Sequence, residues 1–159
     1  MSRCVSAMRW AATNGYTLIE LLMVMVIVGV LAAYAVPRWS PGDATVAAQG
    51  YRLARDLRHT QAMAMNQGRT LSLEPLMTGY RVTDGVSPVT DPAIQQTFQI
   101  SLDEGVTISG GNVRFDSLGR PVDGSGALLA GQSSLVLNGV SRSATVVVAP
   151  ITGFVTVTP

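Results

Sequence analysis

The sequence predicts an α+β fold: a long N-terminal helix whose second half carries an antiparallel β-sheet domain. Three patterns predict it. Residues 16–36 form an apolar run broken by a single charge, Glu20. Val46, Gly50, Leu53, Leu57, Gln61 and Ala64 then recur at spacings of three and four, which places them on one face of a helix. From Arg69 the period drops to two, and Gly-, Pro- and Asn-rich turns punctuate it, as in short half-buried strands. A helix with one apolar stripe and strands with one apolar face each need a partner, and they supply one to each other.

The apolar run comes first in the chain. As a helix, its 21 residues rise about 30 Å, the thickness of a bilayer's hydrocarbon core. A secretory signal peptide has a shorter apolar segment with a small-residue cleavage site behind it. Here Gly15 precedes the run, so a cut at Gly15 leaves the apolar helix on the mature protein. Glu20 is the second anomaly, because a carboxylate inside a membrane helix costs on the order of 2–3 kcal/mol or more. Cleavage after Gly15 gives Tyr16 a free amine four residues before Glu20. That amine can meet its own Glu20, or the Glu20 of a neighbouring subunit. A third placement leaves Glu20 shallow at the membrane surface with no partner, and the residues alone do not separate these.

Around the run, Met1 to Asn14 carries Arg3 and Arg9 and favours a cytoplasmic start, which puts the main body on the periplasmic side. Arg38 suits the interface just past the run. Ser40-Pro41-Gly42-Asp43 is expected to interrupt the helix, with Pro37 and Pro41 loosening it and Asp43 as the N-cap of the second half. That amphipathic half, 43–68, puts Arg52, Arg55, Arg58 and His59 on its other side, as a solvated face. Strands are expected at 70–74 and 79–83 (a hairpin through 75–78), 94–102, 106–109, 113–116, 134–137, 145–149 and 153–158. The stretch 84–92 reads as loop. Asn138-Gly139 is the strongest hairpin signal in the chain. The organisation is then 1–15 ahead of the cut, 16–37 as a transmembrane helix, 43–68 as an amphipathic helix and 69–159 as a β-rich domain on the periplasmic side.

Gly15-Tyr16-Thr17-Leu18-Ile19-Glu20 followed by an apolar helix resembles the class III (type IV) prepilin leader, with Tyr16 in place of the usual Phe. Pro37 matches a Pro common in that helix. The resemblance implies cleavage of the Gly15–Tyr16 bond by a membrane prepilin peptidase, N-methylation of Tyr16, and an assembly role for Glu20 in a pilus or pseudopilus. Two further segments resemble GspH/FimT-type minor pilins and pseudopilins. Phe115-Asp116-Ser117-Leu118-Gly119-Arg120-Pro121 is similar to their Phe-x-x-x-Gly-Arg-Pro stretch, and Thr152-Gly153-Phe154-Val155 to their terminal Thr-Gly-x-Val hairpin. The family implies a type IV pilin-like version of the α+β fold, other pilins as partners, and the inner membrane followed by a pilus or pseudopilus as location. Some relatives bind DNA through a Gly-Arg-x-Arg motif near the C-terminus. Gly153-Phe154-Val155-Thr156 lacks both arginines, so DNA binding is not carried over.

Composition narrows the chemistry. The chain has 159 residues and formal charge +1. Without Arg3 and Arg9 the remaining side chains sum to −1, so no global charge attracts nucleic acid. Cys4, the one cysteine, falls in the leader, which leaves a mature chain without disulfides. Large pilins resembling this chain often close a C-terminal loop with a Cys pair, so this chain looks more like a minor subunit. His59 is the one histidine and is expected to be solvated, which with no mature Cys argues against a transition-metal site. Asp123-Gly124-Ser125-Gly126 is neither a P-loop nor a dinucleotide fingerprint, and the chain has no Lys. Asp103-Glu104 is a lone acidic pair on an expected loop. No catalytic residue, cofactor, metal ligand or small-molecule substrate is expected. The function expected is that of a minor pilin in the priming or tip complex of a type IV pilus. The alternatives are a minor pseudopilin of type II secretion and a DNA-uptake pilin.

Overall fold

The computed structural model describes residues 16–35, 41–103 and 105–158. The chain divides into two units, Met1–Trp39 and Ser40–Pro159. Gly15 and the rest of the expected leader, Pro37, Arg38 and Glu104 lie outside the described residues.

In the first unit, Leu18–Ala35 forms α1. Thr17 starts it: the Glu20 backbone N–H reaches the Thr17 carbonyl at 3.0 Å and its hydroxyl at 3.3 Å. That is the N-cap pattern, and Thr17-Leu18-Ile19-Glu20 has the spacing of a capping box. Every side chain from Tyr16 to Ala32 is exposed. No helix among the described residues is by itself long and apolar enough to cross a membrane. The 18 residues of α1 rise about 27 Å, and the apolar run in the sequence continues to Val36.

The second unit opens with α2, Pro41–Gln67. Pro41 and Gly42 therefore open this second helix, Asp43 is its third residue instead of its N-cap, and the expected break ahead of Pro41 lies outside the described residues. Proline fits there because its fixed φ suits the first turn, where its missing N–H has no intrahelical partner to lose. The buried face of α2 comprises Val46, Gln49, Gly50, Leu53, Ala54, Asp56, Leu57, Thr60, Met63 and Ala64. Gly50 sets the distance to the sheet behind it, since a Cβ there would stand 3.1 Å from the Ala144 Cβ.

Where one antiparallel sheet was expected, α2 rests on two. The first orders β1 (Leu71–Leu76), β2 (Gly79–Thr83), β5 (Gln99–Ser101), β7 (Val113–Phe115) and β8 (Pro121–Val122) as β5-β2-β1-β7-β8. The second orders β6 (Thr107–Gly110), β9 (Ser133–Asn138), β10 (Ser143–Val148) and β11 (Val155–Thr158) as β11-β10-β9-β6. A ribbon of β3 (Thr90–Asp91) and β4 (Gln96–Thr97) crosses the expected loop and splits the expected 94–102 strand. Alternation aims Leu71, Leu73, Tyr80, Val82, Val113 and Phe115 from the first sheet into the core. Leu135, Leu137, Ala144, Val146, Val148 and Val155 enter it from the second.

Two expectations shift by a few residues. The β1–β2 hairpin is tighter than the sequence suggested, pairing Leu76 with Gly79 across Met77-Thr78. Pro75 thus lies inside β1, but past the last β7 pair, Leu73 with Val113, so its missing N–H faces no strand on that side. Asn138-Gly139 does mark the β9–β10 hairpin. Its loop is 139–142, closed by the Gly139 N–H donating to the Arg142 carbonyl at 2.8 Å.

Candidate functional site

The candidate processing and assembly segment is the start of α1. Tyr16 is 84% exposed and precedes the helix; Glu20 is exposed in its first turn. A carboxylate there is favoured by the partial positive charge of the helix N-terminus and by the capping-box spacing. Glu20 thus has a local reason to exist apart from the expected assembly role, and Tyr16 lies one turn before it, just ahead of the helix. Among the described residues Glu20 makes no ion pair. Gly15, the other half of the expected cleavage site, lies outside the described residues.

The two C-terminal motif segments converge on one side chain of α2. The Gln61 amide donates to the Gly119 carbonyl at 2.6 Å and to the Thr152 carbonyl at 3.0 Å. Gly153 leaves room for this, because a Cβ there would meet the Gln61 Nε2 at 2.6 Å, and its φ of +69° suits glycine. Asp116 closes the first turn. Its Oδ1 accepts from the Leu118 and Arg120 backbone N–H groups at 2.9 and 2.8 Å, and its Oδ2 from the Arg120 guanidinium at 2.9 and 2.7 Å. The sequence marked both turns but missed their junction. The available signal was Gln61 itself, a polar residue on an otherwise apolar stripe.

The expected solvated face of α2 is only partly so. Arg58 donates to the Val155 carbonyl at 2.8 Å, and the His59 Nε2 stands 3.4 Å from the Asp91 carboxylate with its ring against Phe98. Both side chains fasten strands to the helix. Beneath them Asp56 is buried, accepting from the fully buried Tyr80 hydroxyl at 2.7 Å and from Arg55. Burial first, then the bond to Asp56 and its charge, push the Tyr80 phenol well above its usual range. Asp103 accepts from the Gln49 amide at 2.7 Å. Among the described residues no group of three His, Cys, Asp or Glu side chains is placed to hold a metal ion.

Comparison with known proteins agrees with this layout. Residues 10–36 match the prokaryotic N-terminal methylation motif, and residues 49–153 match the family described as type II transport protein GspH. A search of curated proteins returned no match. Two crystal forms of the type IV minor pilin FimU from Pseudomonas aeruginosa (strain PAO1) share the fold. One superposes with a TM-score of 0.50 at 11% identity, covering 69% of this chain and 90% of FimU. The other gives 0.51 at 12% identity, covering 72% and 88%. At such identity the likeness establishes the fold alone, while the family match spans about two thirds of the chain. This chain therefore belongs to the GspH family of minor pilins and pseudopilins, structural subunits without enzymatic activity.

Proposed function

We propose that the chain is a minor pilin that primes or tips a type IV pilus. The prepilin peptidase cuts between Gly15 and Tyr16, the new Tyr16 amine is methylated, and the helix from Tyr16 holds the subunit in the inner membrane. The folded β-rich unit then lies in the periplasm until assembly with other pilins. The observation that carries this is the start of α1: Glu20 is the one charge in an exposed apolar helix, one turn from the residue that gains an amine on cleavage. Exposed apolar side chains from Leu18 to Leu31 need lipid before assembly and other subunits after it.

The description of the matched family, a type II transport protein, favours a second role, as a minor pseudopilin in a secretion system. Deleting the gene separates the two. The pilin role predicts loss of surface pili with normal export of secreted enzymes. Normal piliation with failed export assigns the chain to secretion instead.

A further inference from the structure

The face of the five-stranded sheet turned away from the core carries a cleft of about 360 Å³. Its floor is a cross-strand pair, Ser72 on β1 opposite Arg114 on β7. The loops at Asp84-Gly85 and Asp123-Gly124-Ser125-Gly126 form its walls. Ser72 is 3% exposed, yet its hydroxyl has no hydrogen-bond partner among the described residues. A buried hydroxyl without a partner is costly and calls for an explanation.

Arg114 is the second unmatched group. Arg55, Arg69, Arg81 and Arg120 each hold a carboxylate, and Arg58 holds a carbonyl. Half-buried Arg114 makes neither kind of contact with a described residue. The two wall carboxylates are already engaged. Asp84 accepts from Arg69 and from the Val86 and Ser87 N–H groups, and Asp123 accepts from the Ser125 N–H and hydroxyl and the Ala127 N–H. Gly124 keeps the space above the guanidinium open, since a Cβ there would stand 3.1 Å from its Nη1.

We propose that this cleft is a carboxylate receptor that takes one Asp or Glu side chain from an adjoining pilin subunit. A guanidinium offers two parallel N–H donors to a planar carboxylate, and Arg114 presents them above a floor whose Ser72 hydroxyl is itself closed off from solvent. Asp84 and Asp123 at the rim select against a doubly charged phosphate, because two like charges close by raise its cost more than that of a single carboxylate. The volume suits one side chain and its backbone, and the cleft lies on the opposite side of the sheet from α2. The identity of the occupant as a subunit rests on the assembly role proposed above.

The test titrates the full chain, in neutral detergent micelles, with N-acetyl-glutamate amide, N-acetyl-glutamine amide and inorganic phosphate, following the Ser125 backbone N–H resonance in the cleft wall. The expected result is a saturable shift with the glutamate probe alone, weakened at least tenfold in Arg114→Gln. Gly124→Val, which crowds the guanidinium and leaves Arg114 in place, should weaken it similarly and covers the case in which Arg114→Gln does not fold. An equal response to the glutamine probe, tighter binding of phosphate, or unchanged binding in a folded variant overturns the proposal. In cells, mature Arg114→Gln should reach the wild-type membrane level but co-purify several-fold less with the other pilins. Equal recovery overturns the subunit as occupant. If wild type itself fails to co-purify, the assembly role has failed, and the probe titration still decides the cleft.

Discussion

Asp116 shows what one carboxylate arranges in this fold. Burial pushes its carboxyl up, but the bonds from the Arg120 side chain and from the Arg120 and Leu118 N–H groups outweigh that and hold it below the usual range. Asp84 is lowered by the Ser87 and Val86 N–H groups, and Asp123 by the Ser125 hydroxyl and N–H and the Ala127 N–H. In the unfolded chain all three return to about 3.9. Their folded values lie below that, so the stability they contribute is present above about pH 4 and is lost as pH falls through the folded values. Urea unfolding between pH 2 and 5 should show stability declining with acid. Asp116→Asn should start less stable near neutrality and decline less steeply. An unchanged slope would mean that the Asp116 cluster contributes nothing to the acid sensitivity.

At the scale of elements, Gln61 joins what the sequence presented as separate. One amide on α2 holds the β7–β8 turn through Gly119 and the β10–β11 turn through Thr152, and so ties one turn of each sheet to the helix. Gln61→Ala should leave two carbonyls without their donor and destabilise the protein by about 1–3 kcal/mol. Hydrogen exchange should speed up first in those two turns. Uniform acceleration across the domain, or no loss of stability, would deny the clasp. The helical stripe was legible because burial of an apolar face imposes its own period, and five of its six positions are buried with Gln61 partly so. The division into two sheets was not legible, since alternation says which side chains face inward but not which strands pair. Pro41 misled over the N-cap because it is read as a breaker, although a helix start tolerates it. The Ser72–Arg114 cleft was invisible for the same reason as the two sheets: its pairing is set by the β1–β7 register, 42 residues apart in sequence.

For the whole molecule, the two units have opposite needs. The Ser40–Pro159 unit buries its own core between α2 and two sheets, whereas α1 exposes its apolar side chains and a carboxylate. The methylation motif and the GspH domain fall on these two parts in turn. The central claim is that the charge of Glu20 serves assembly, and the competing account is that it only starts α1. Glutamine keeps the capping-box geometry and removes the charge, so Glu20→Gln separates the two. The decisive measurement is the amount of mature Glu20→Gln protein that co-purifies with the other pilins, normalised to its membrane level and to wild type. The account predicts normal cleavage at Gly15–Tyr16, normal insertion and at least a tenfold loss of co-purification; recovery at the wild-type level would contradict it.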